Sequence, residues 1–282
     1  MAPLPYLPYL RELTAPERTA RANLHLGVAL AFVAGAFNAG GFLAIGQYTS
    51  HMTGVVSSVA DQIVLGHWEL VIAGLLSLLA FVAGAASTAV LVNYARRNHH
   101  GAAGPYAVPL LIEAALLLVF GLVGSQLQAH ELISISLTAV LLCYAMGLQN
   151  ALITKISNAE IRTTHVTGLV TDIGIELGKS LYWNQSAAHA EPGASLPGPA
   201  RIQANRRKLR VHLALVGAFF IGGVSGALGF KLVGFIAALP LAVLLVVIAA
   251  APLVGPAAAA EPAAAPAAQA ATPASLHRPG PV

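Results

Sequence analysis

The sequence predicts an all-α integral membrane protein. Six transmembrane helices are expected as a 3+3 inverted-topology repeat, with two short polar helices that either re-enter the membrane or lie at its surface. Three observations carry this expectation. Apolar residues gather in runs of roughly 20, the length that crosses about 30 Å of hydrocarbon at 1.5 Å per residue. A polar motif occurs twice: His51–Ser57 reads HMTGVVS and His165–Thr171 reads HVTGLVT. Lysine and arginine crowd alternate connections between the runs.

Composition supports a bilayer over an aqueous core. Of the 282 residues, 57% are hydrophobic and 9% charged, against about a quarter charged in a soluble domain. A single cysteine, Cys143, lies in an apolar run. It excludes an internal disulfide framework and multi-cysteine metal sites and reads as a small lipid- or helix-facing residue.

Residues 1–23 read as a cytoplasmic N-terminal tail with Arg11, Glu12, Glu17, Arg18 and Arg21. The first apolar run is Leu24–Ile45. Cleavage of a signal sequence after Ala34-Gly-Ala36 would split a segment that recurs later, so a cleaved leader is not expected. The other spans are expected at Glu69–Tyr94, Ala107–Gln128, Leu132–Thr154, Leu209–Leu228 and Val233–Leu253. The longest internal loop is expected over about 179–208. From 255 to 282 the chain is rich in alanine and proline, and prolines at 256, 262, 266 and 273 predict a disordered or extended tail.

Orientation follows from the basic residues. The tail carries three, the connection Gln47–Trp68 none, the next Arg96 and Arg97, the third none and the fourth eight; Lys231 and Arg278 complete the set. Six spans with both termini in the cytoplasm place 14 of the 15 basic residues inside. This explains the net charge of +4 without a nucleic-acid partner. Arg206, Arg207, Lys208 and Arg210 form an inside anchor, with contact to anionic lipid as the second reading.

The duplication extends beyond the motif. Asn38 lies thirteen residues before His51 in GAFNA, and Asn150 fifteen before His165 in GLQNA. Phe81-Val-Ala-Gly84 resembles Phe220-Ile-Gly-Gly223, and Pro109 pairs with Pro240. Each half, 24–128 and 131–254, then holds three spans. An odd number inverts the second half and creates a pseudo-two-fold axis in the membrane plane.

The motif supplies the candidate site. Thr53 and Thr167 are expected as N-caps of short helices, and Gly54 and Gly168 as points of close approach. His51 and His165 would lie just before helix N-termini that suit an anion or a carbonyl oxygen. Asn38 and Asn150 are amides inside spans, able to bind across a bundle. On the first short helix Val55, Val56, Val59 and Ile63 fit one face, and on the second Leu169, Val170, Ile173 and Leu177. Asp172 and Glu176 lie four apart on the polar side of the second. Glu113 stands four residues after Pro109 in an apolar span, where the counterpart after Pro240 is Leu244. It reads either as a proton or cation relay or as a hydrogen bond to a neighbouring helix. Two histidines without further ligands fall short of a metal site, and neither metal nor cofactor is expected.

On GAFNAGGFLAIGQYTSHMTG, FVAGAAS and GLQNALITKISNAEIRTTHVTGLVTDIG the chain resembles the YoaK-like family of bacterial multi-pass membrane proteins, a domain of unknown function, over about residues 25–254. The family usually reads T-G-N in the first motif, and Val55 stands here in place of that Asn. The resemblance implies a multi-helix fold in the bacterial inner membrane and carries over no activity. The expected function is small-molecule or ion transport through a site at the repeat interface, reached by Asn38, His51, Thr53, Gly54, Glu113, Asn150, His165, Thr167, Gly168 and Asp172. The alternative is a non-transporting membrane scaffold or partner protein, which would pack those side chains without a cavity. An intramembrane enzyme ranks last, because H-E-x-x-H, G-x-S-x-G and a phosphate-binding glycine loop are missing from the sequence. Substrate, coupling ion and oligomeric state are not encoded in any pattern found.

Overall fold

A computed structural model of the protein describes residues 7–15, 18–97, 105–127, 131–157, 161–182 and 203–251. These form helices and connecting turns, with no strand among the described residues. The helices are α1 (Leu7–Thr14), α2 (Ala20–Ile45), α3 (Met52–Leu65), α4 (Trp68–Arg97), α5 (Ala107–Leu127), α6 (Glu131–Ile156), α7 (Val166–Leu181), α8 (Arg206–Val233) and, after a 3-10 turn at Gly234–Ala237, α9 (Ala238–Ala250). The stretches Ala20–Ile45, Trp68–Arg97, Leu137–Ile156 and Arg206–Ala250 are long and apolar enough to cross a membrane; Met52–Leu65 and Ala107–Leu122 are shorter apolar helices. Leu79, Val90, Leu122, Ile221 and Leu232 are more than half exposed along their helices. That outward apolar surface suits hydrocarbon rather than water, and the chain is a membrane-embedded protein.

Local chemistry sets most helix ends. Thr19 caps α2 by accepting from the Ala22 amide at 3.2 Å, and Asn205 caps α8 by accepting from Lys208 N at 3.0 Å. Gly46 and Gly66 close α2 and α3 at φ 71° and 76°, the left-handed region open to glycine. Pro109 and Pro240 each occupy the third position of a helix, where no intrahelical N–H donor is required.

Two helix crossings are built alike. A Cβ on Gly35 of α2 would drive into the carbonyl oxygen of Phe219 on α8, and one on Gly222 into that of Phe32. On the second crossing, a Cβ on Gly84 of α4 would meet the carbonyl oxygen of Tyr144 on α6, and one on Gly147 that of Phe81. In all four cases the colliding residue lies three before the opposing glycine. Small residues thus bring backbones together where lipid supplies no hydrophobic drive. Two further pairs match, α3 on α4 and α7 on α8, and α5 packs on α9; the packing of α5 on α6 has no comparable counterpart between α9 and α2 among the described residues.

One end of the bundle gathers basic groups. Arg18 lies over the Tyr106 ring at 4.5 Å and donates to the Ile156 carbonyl at 3.2 Å. Arg96 also donates to the Tyr106 hydroxyl, and Lys155 donates to Asn93 at 3.2 Å. The stretch before α2, the end of α4, the start of α5 and the end of α6 therefore meet.

Several expectations need correction. The boundary between the last two spans, expected between Leu228 and Val233, lies about five residues later. α8 continues to Val233, Gly234 turns at φ 67°, and α9 begins at Ala238. The correspondence of Phe81 with Phe220 shifts by one, because the crossing geometry pairs Phe81 with Phe219 and Gly84 with Gly222. The N-terminal tail, expected to hold a surface turn of helix, contains helix α1. The loop expected to start at 179 starts after α7 ends at Leu181, with 183–202 outside the described residues, as is the tail 255–282. Of the first motif's apolar positions, Val55 is buried and Val59 half-buried, while Val56 and Ile63 face outward; Leu169 and Val170 divide the same way.

Candidate functional site

Both polar motifs are folded back along the long helix that precedes them. Asn38 lies seven residues before the end of α2, about 10 Å inside it, and Asn150 six before the end of α6, about 9 Å inside. The Asn38 amide oxygen accepts from Ser50 N at 3.1 Å and from the Thr49 hydroxyl at 3.5 Å. Its NH2 donates to the Ser50 hydroxyl at 2.5 Å. The Asn150 oxygen accepts from the Thr164 hydroxyl at 2.5 Å. Ser50 and Thr164 each immediately precede the motif histidine. Each amide therefore ties the turn ahead of a short helix to the interior of a long one. Gln149 donates to the Leu30 carbonyl at 2.8 Å. Leu30 is eight residues before Asn38, which spaces the two amides by about 12 Å along α2.

The short helices begin differently from the sequence expectation. His51 and His165, not the threonines, hold the N-cap positions, and neither makes a side-chain cap bond. Thr53 and Thr167 are the second residues of α3 and α7. The backbone of each histidine turns in at φ −91°, ψ 68° and φ −82°, ψ 54°, and its ring lies over the following glycine. A Cβ on Gly54 would collide with the His51 ring, and one on Gly168 with the His165 ring. The close approach that these glycines permit is that of the motif's own histidine.

The two motifs open onto one cavity of about 1160 Å³. Asn38, His51, Thr53, Asn150, His165 and Thr167 all line it. Its apolar wall comes from Phe42, Leu43, Phe81, Phe219 and Phe220, and Phe42 stacks on Tyr48 at 4.8 Å. The glycine crossing of α2 and α8 borders it through Gly35 and Gly223.

Four expected site residues lie elsewhere. Gly54 and Gly168 sit under their histidine rings rather than on the cavity wall. Asp172 faces α8, with Lys208 Nζ at 3.2 Å and His212 Nδ1 at 3.8 Å. Its neighbour one turn on, Glu176, is 2% exposed, pairs with Lys179 at 2.9 Å and accepts from Asn205 N at 2.6 Å. The hydrogen bond from Lys179 and that from the Asn205 amide hold its carboxyl below the usual glutamate range. Both acids therefore fasten α7 to the start of α8. Glu113 is fully buried on α5, with no partner for either oxygen among the described residues, away from the cavity. Lys208 of the basic cluster is engaged by Asp172, while Arg206, Arg207 and Arg210 are exposed. Among the described residues no group of three or more His, Cys, Asp or Glu side chains could hold a metal ion.

The cavity adds residues that the motif search passed over: Tyr48, Ser50, Thr154, Arg162 and Thr164. Their signal was positional. Tyr48 and Arg162 each stand three residues before a motif histidine, and Phe42 and Thr154 each four after a motif asparagine.

A family model described as "Protein of unknown function (DUF1275)" matches residues 26–251. No curated protein matches the chain, and no solved structure does.

Proposed function

We propose, from the premise that the chain belongs to the DUF1275 family, that it is a bacterial inner-membrane transporter of a small molecule or ion. The observation that carries this reading is the convergence of both H-x-T-G motifs, 114 residues apart, on a single cavity. Pockets of several hundred Å³ with a few placed polar groups on an apolar wall are the usual form of ligand sites, and this cavity sets asparagine, histidine and threonine side chains among apolar ones. The chain is read as a carrier and not an enzyme on its sequence, which lacks H-E-x-x-H, G-x-S-x-G and a phosphate-binding glycine loop.

The architecture proposed is six spans, α2, α4, α5, α6, α8 and α9, in a 3+3 inverted repeat with α3 and α7 as re-entrant helices. The matched glycine crossings, the matched prolines and the matched asparagine ties support it. Alternating access then amounts to rocking one repeat against the other around the site. The basic end of the bundle, where Arg18, Arg96 and Lys155 meet, is assigned to the cytoplasm together with both termini. The exposed arginines 206, 207 and 210 lie on that side, where anionic headgroups would attract them.

Flux into proteoliposomes across a broad metabolite and ion panel tests the transport reading. Thr53→Ala with Thr167→Ala should abolish flux while unfolding stays close to wild type. Loss of folding before loss of flux, or no flux for any compound, would favour the scaffold. Labelling of Gly66→Cys from the cytoplasmic face alone would overturn the orientation.

A further inference from the structure

The two ends of the cavity are chemically unlike, although they are built from positions that correspond between the motif copies. Three residues before His51 stands Tyr48, and three before His165 stands Arg162. Four residues after Asn38 stands Phe42, and four after Asn150 stands Thr154. All four line the cavity. One end is therefore an aromatic stack, Phe42 on Tyr48 with ring centroids 4.8 Å apart and planes 17° from parallel. The other end presents a guanidinium and a hydroxyl. Among the described residues lining the cavity Arg162 is the one formally charged side chain, and none is a carboxylate. The acids that follow His165 along the chain, Asp172 and Glu176, are held by Lys208, Lys179 and the Asn205 amide on the α7–α8 contact.

Hydrogen-bonding capacity is biased in the same direction. The amide oxygens of Asn38 and Asn150, the strongest neutral acceptors on the wall, already accept from Thr49, Ser50 and Thr164. A cation entering this space would lose its water with no carboxylate to replace it, at high cost in a low-dielectric interior. An anion would find a planar fork of donors suited to a carboxylate. Its apolar remainder would find aromatic faces.

We propose that the cavity binds an amphipathic carboxylate, with the carboxylate on Arg162 and a ring-sized or short-chain apolar body against Phe42 and Tyr48. This rests on the transport reading and names the substrate class within it. The ligand lies across the cavity of about 1160 Å³, between Arg162 and the Phe42–Tyr48 stack, so the class is that of small aromatic or medium-chain acids. Two sources fit this chemistry, a soluble aryl acid or a fatty acid drawn from the bilayer.

Binding to the purified full chain in detergent tests it, with phenylacetate, dodecanoate, the neutral isostere phenylacetamide and the cationic isostere phenethylamine as probes. Phenylacetate or dodecanoate should bind at least about tenfold more tightly than either isostere, the scale of one charge-assisted contact. Arg162→Gln should erase that preference, and Arg162→Lys should restore part of it. Arg162 is exposed, so both variants should fold. Phe42→Ala should weaken both acids while leaving the preference for charge intact. Tighter binding of dodecanoate than of phenylacetate assigns the lipid-derived source, and the reverse order the soluble one. Equal or better binding of the amide or the amine, an unchanged preference in Arg162→Gln, or no binding of either acid overturns the proposal. Flux of a cation or neutral solute in proteoliposomes would overturn the substrate class and leave transport standing, whereas absence of all flux removes the transport reading itself.

Discussion

Alanine at Gly35 sets helix propensity against packing, and the structure predicts which wins. Alanine in a helix interior is favoured over glycine by about 1 kcal/mol. Gly217 on α8 has nothing within 4 Å of the position its Cβ would take, so Gly217→Ala should realise that gain of up to about 1 kcal/mol. At Gly35 the same gain meets the carbonyl oxygen of Phe219, with Gly223 N at 2.9 Å behind it. Overpacking a filled interior costs typically 1–3 kcal/mol. Here the obstacle is the backbone of a 28-residue helix, which cannot swing aside as a side-chain tip can. The cost therefore falls at or beyond the upper end of that range, and the net loss is about 2 kcal/mol. The two alanine variants should then differ by about 3 kcal/mol, in opposite directions from wild type. Unfolding of the purified protein in mixed micelles, followed by circular dichroism against rising SDS, measures this. Gly84→Ala, whose Cβ meets Tyr144 in the matching crossing, should behave as Gly35→Ala does. Equal midpoints for Gly35→Ala and Gly217→Ala would refute the claim that backbone contact at glycine holds these helices together.

Three further perturbations follow from individual groups. Glu113→Leu removes a carboxyl with no hydrogen-bond partner and should raise stability by about 1–3 kcal/mol, the penalty of a buried unsatisfied polar group; a destabilised variant in the same SDS titration would mean that the carboxyl is satisfied in the folded protein. Asn38→Ala leaves Ser50 N without its acceptor and should cost about 1–3 kcal/mol, with hydrogen exchange rising over residues 46–53 and unchanged in α8. Glu176 titrates below the ordinary glutamate range because Lys179 and the Asn205 amide hydrogen-bond its charged form. A depressed folded value means that its contribution is present above the ordinary range and is lost as pH falls through it. Protection of the α7 amides, taken relative to their intrinsic exchange rate at each pH, should therefore fall on acidification in wild type, and Glu176→Gln should show no such step.

The helices were legible because hydropathy and basic residues report on lipid contact and little else. Each expected span meets a helix, with α2 starting a turn earlier than the apolar run because Thr19 caps it through charged residues. What hydropathy placed a few residues early is the break between the last two spans. It was expected around Lys231, and the backbone turns at Gly234, φ 67°, three residues later. The repeat was legible as letters, but the register of its crossings was not. FVAG and FIGG align naturally on Phe81 and Phe220, yet the residue whose carbonyl touches the opposing glycine is Phe219, one position earlier. Capping failed for a related reason. Threonine is a common cap, but the turn is set by tertiary ties from Asn38 and Asn150, which place a histidine first. Asp172 read as part of the site because it follows the motif closely. Its partners Lys208 and His212 come from a helix more than thirty residues on, and no local pattern shows that.

A search for identity between two motif copies finds what the copies must share in order to fold, and passes over what they need in order to differ. Here the shared residues, the asparagines, histidines and glycines, either fix geometry or line the cavity at corresponding positions. The residues that give the cavity a direction, Tyr48 against Arg162 and Phe42 against Thr154, are invisible to that search because they do not match. The same holds outside the cavity for Glu113, whose counterpart is Leu244. A symmetric site would bind a ligand equally well in two opposed orientations. One arginine at a single end removes that degeneracy, since reversing a carboxylate would set it against the Phe42–Tyr48 stack and leave the guanidinium unpaired. Under the proposed inverted repeat and the proposed carboxylate site, the matched scaffold would supply two interconvertible arrangements, and the unmatched residues would make the ligand enter each of them the same way round.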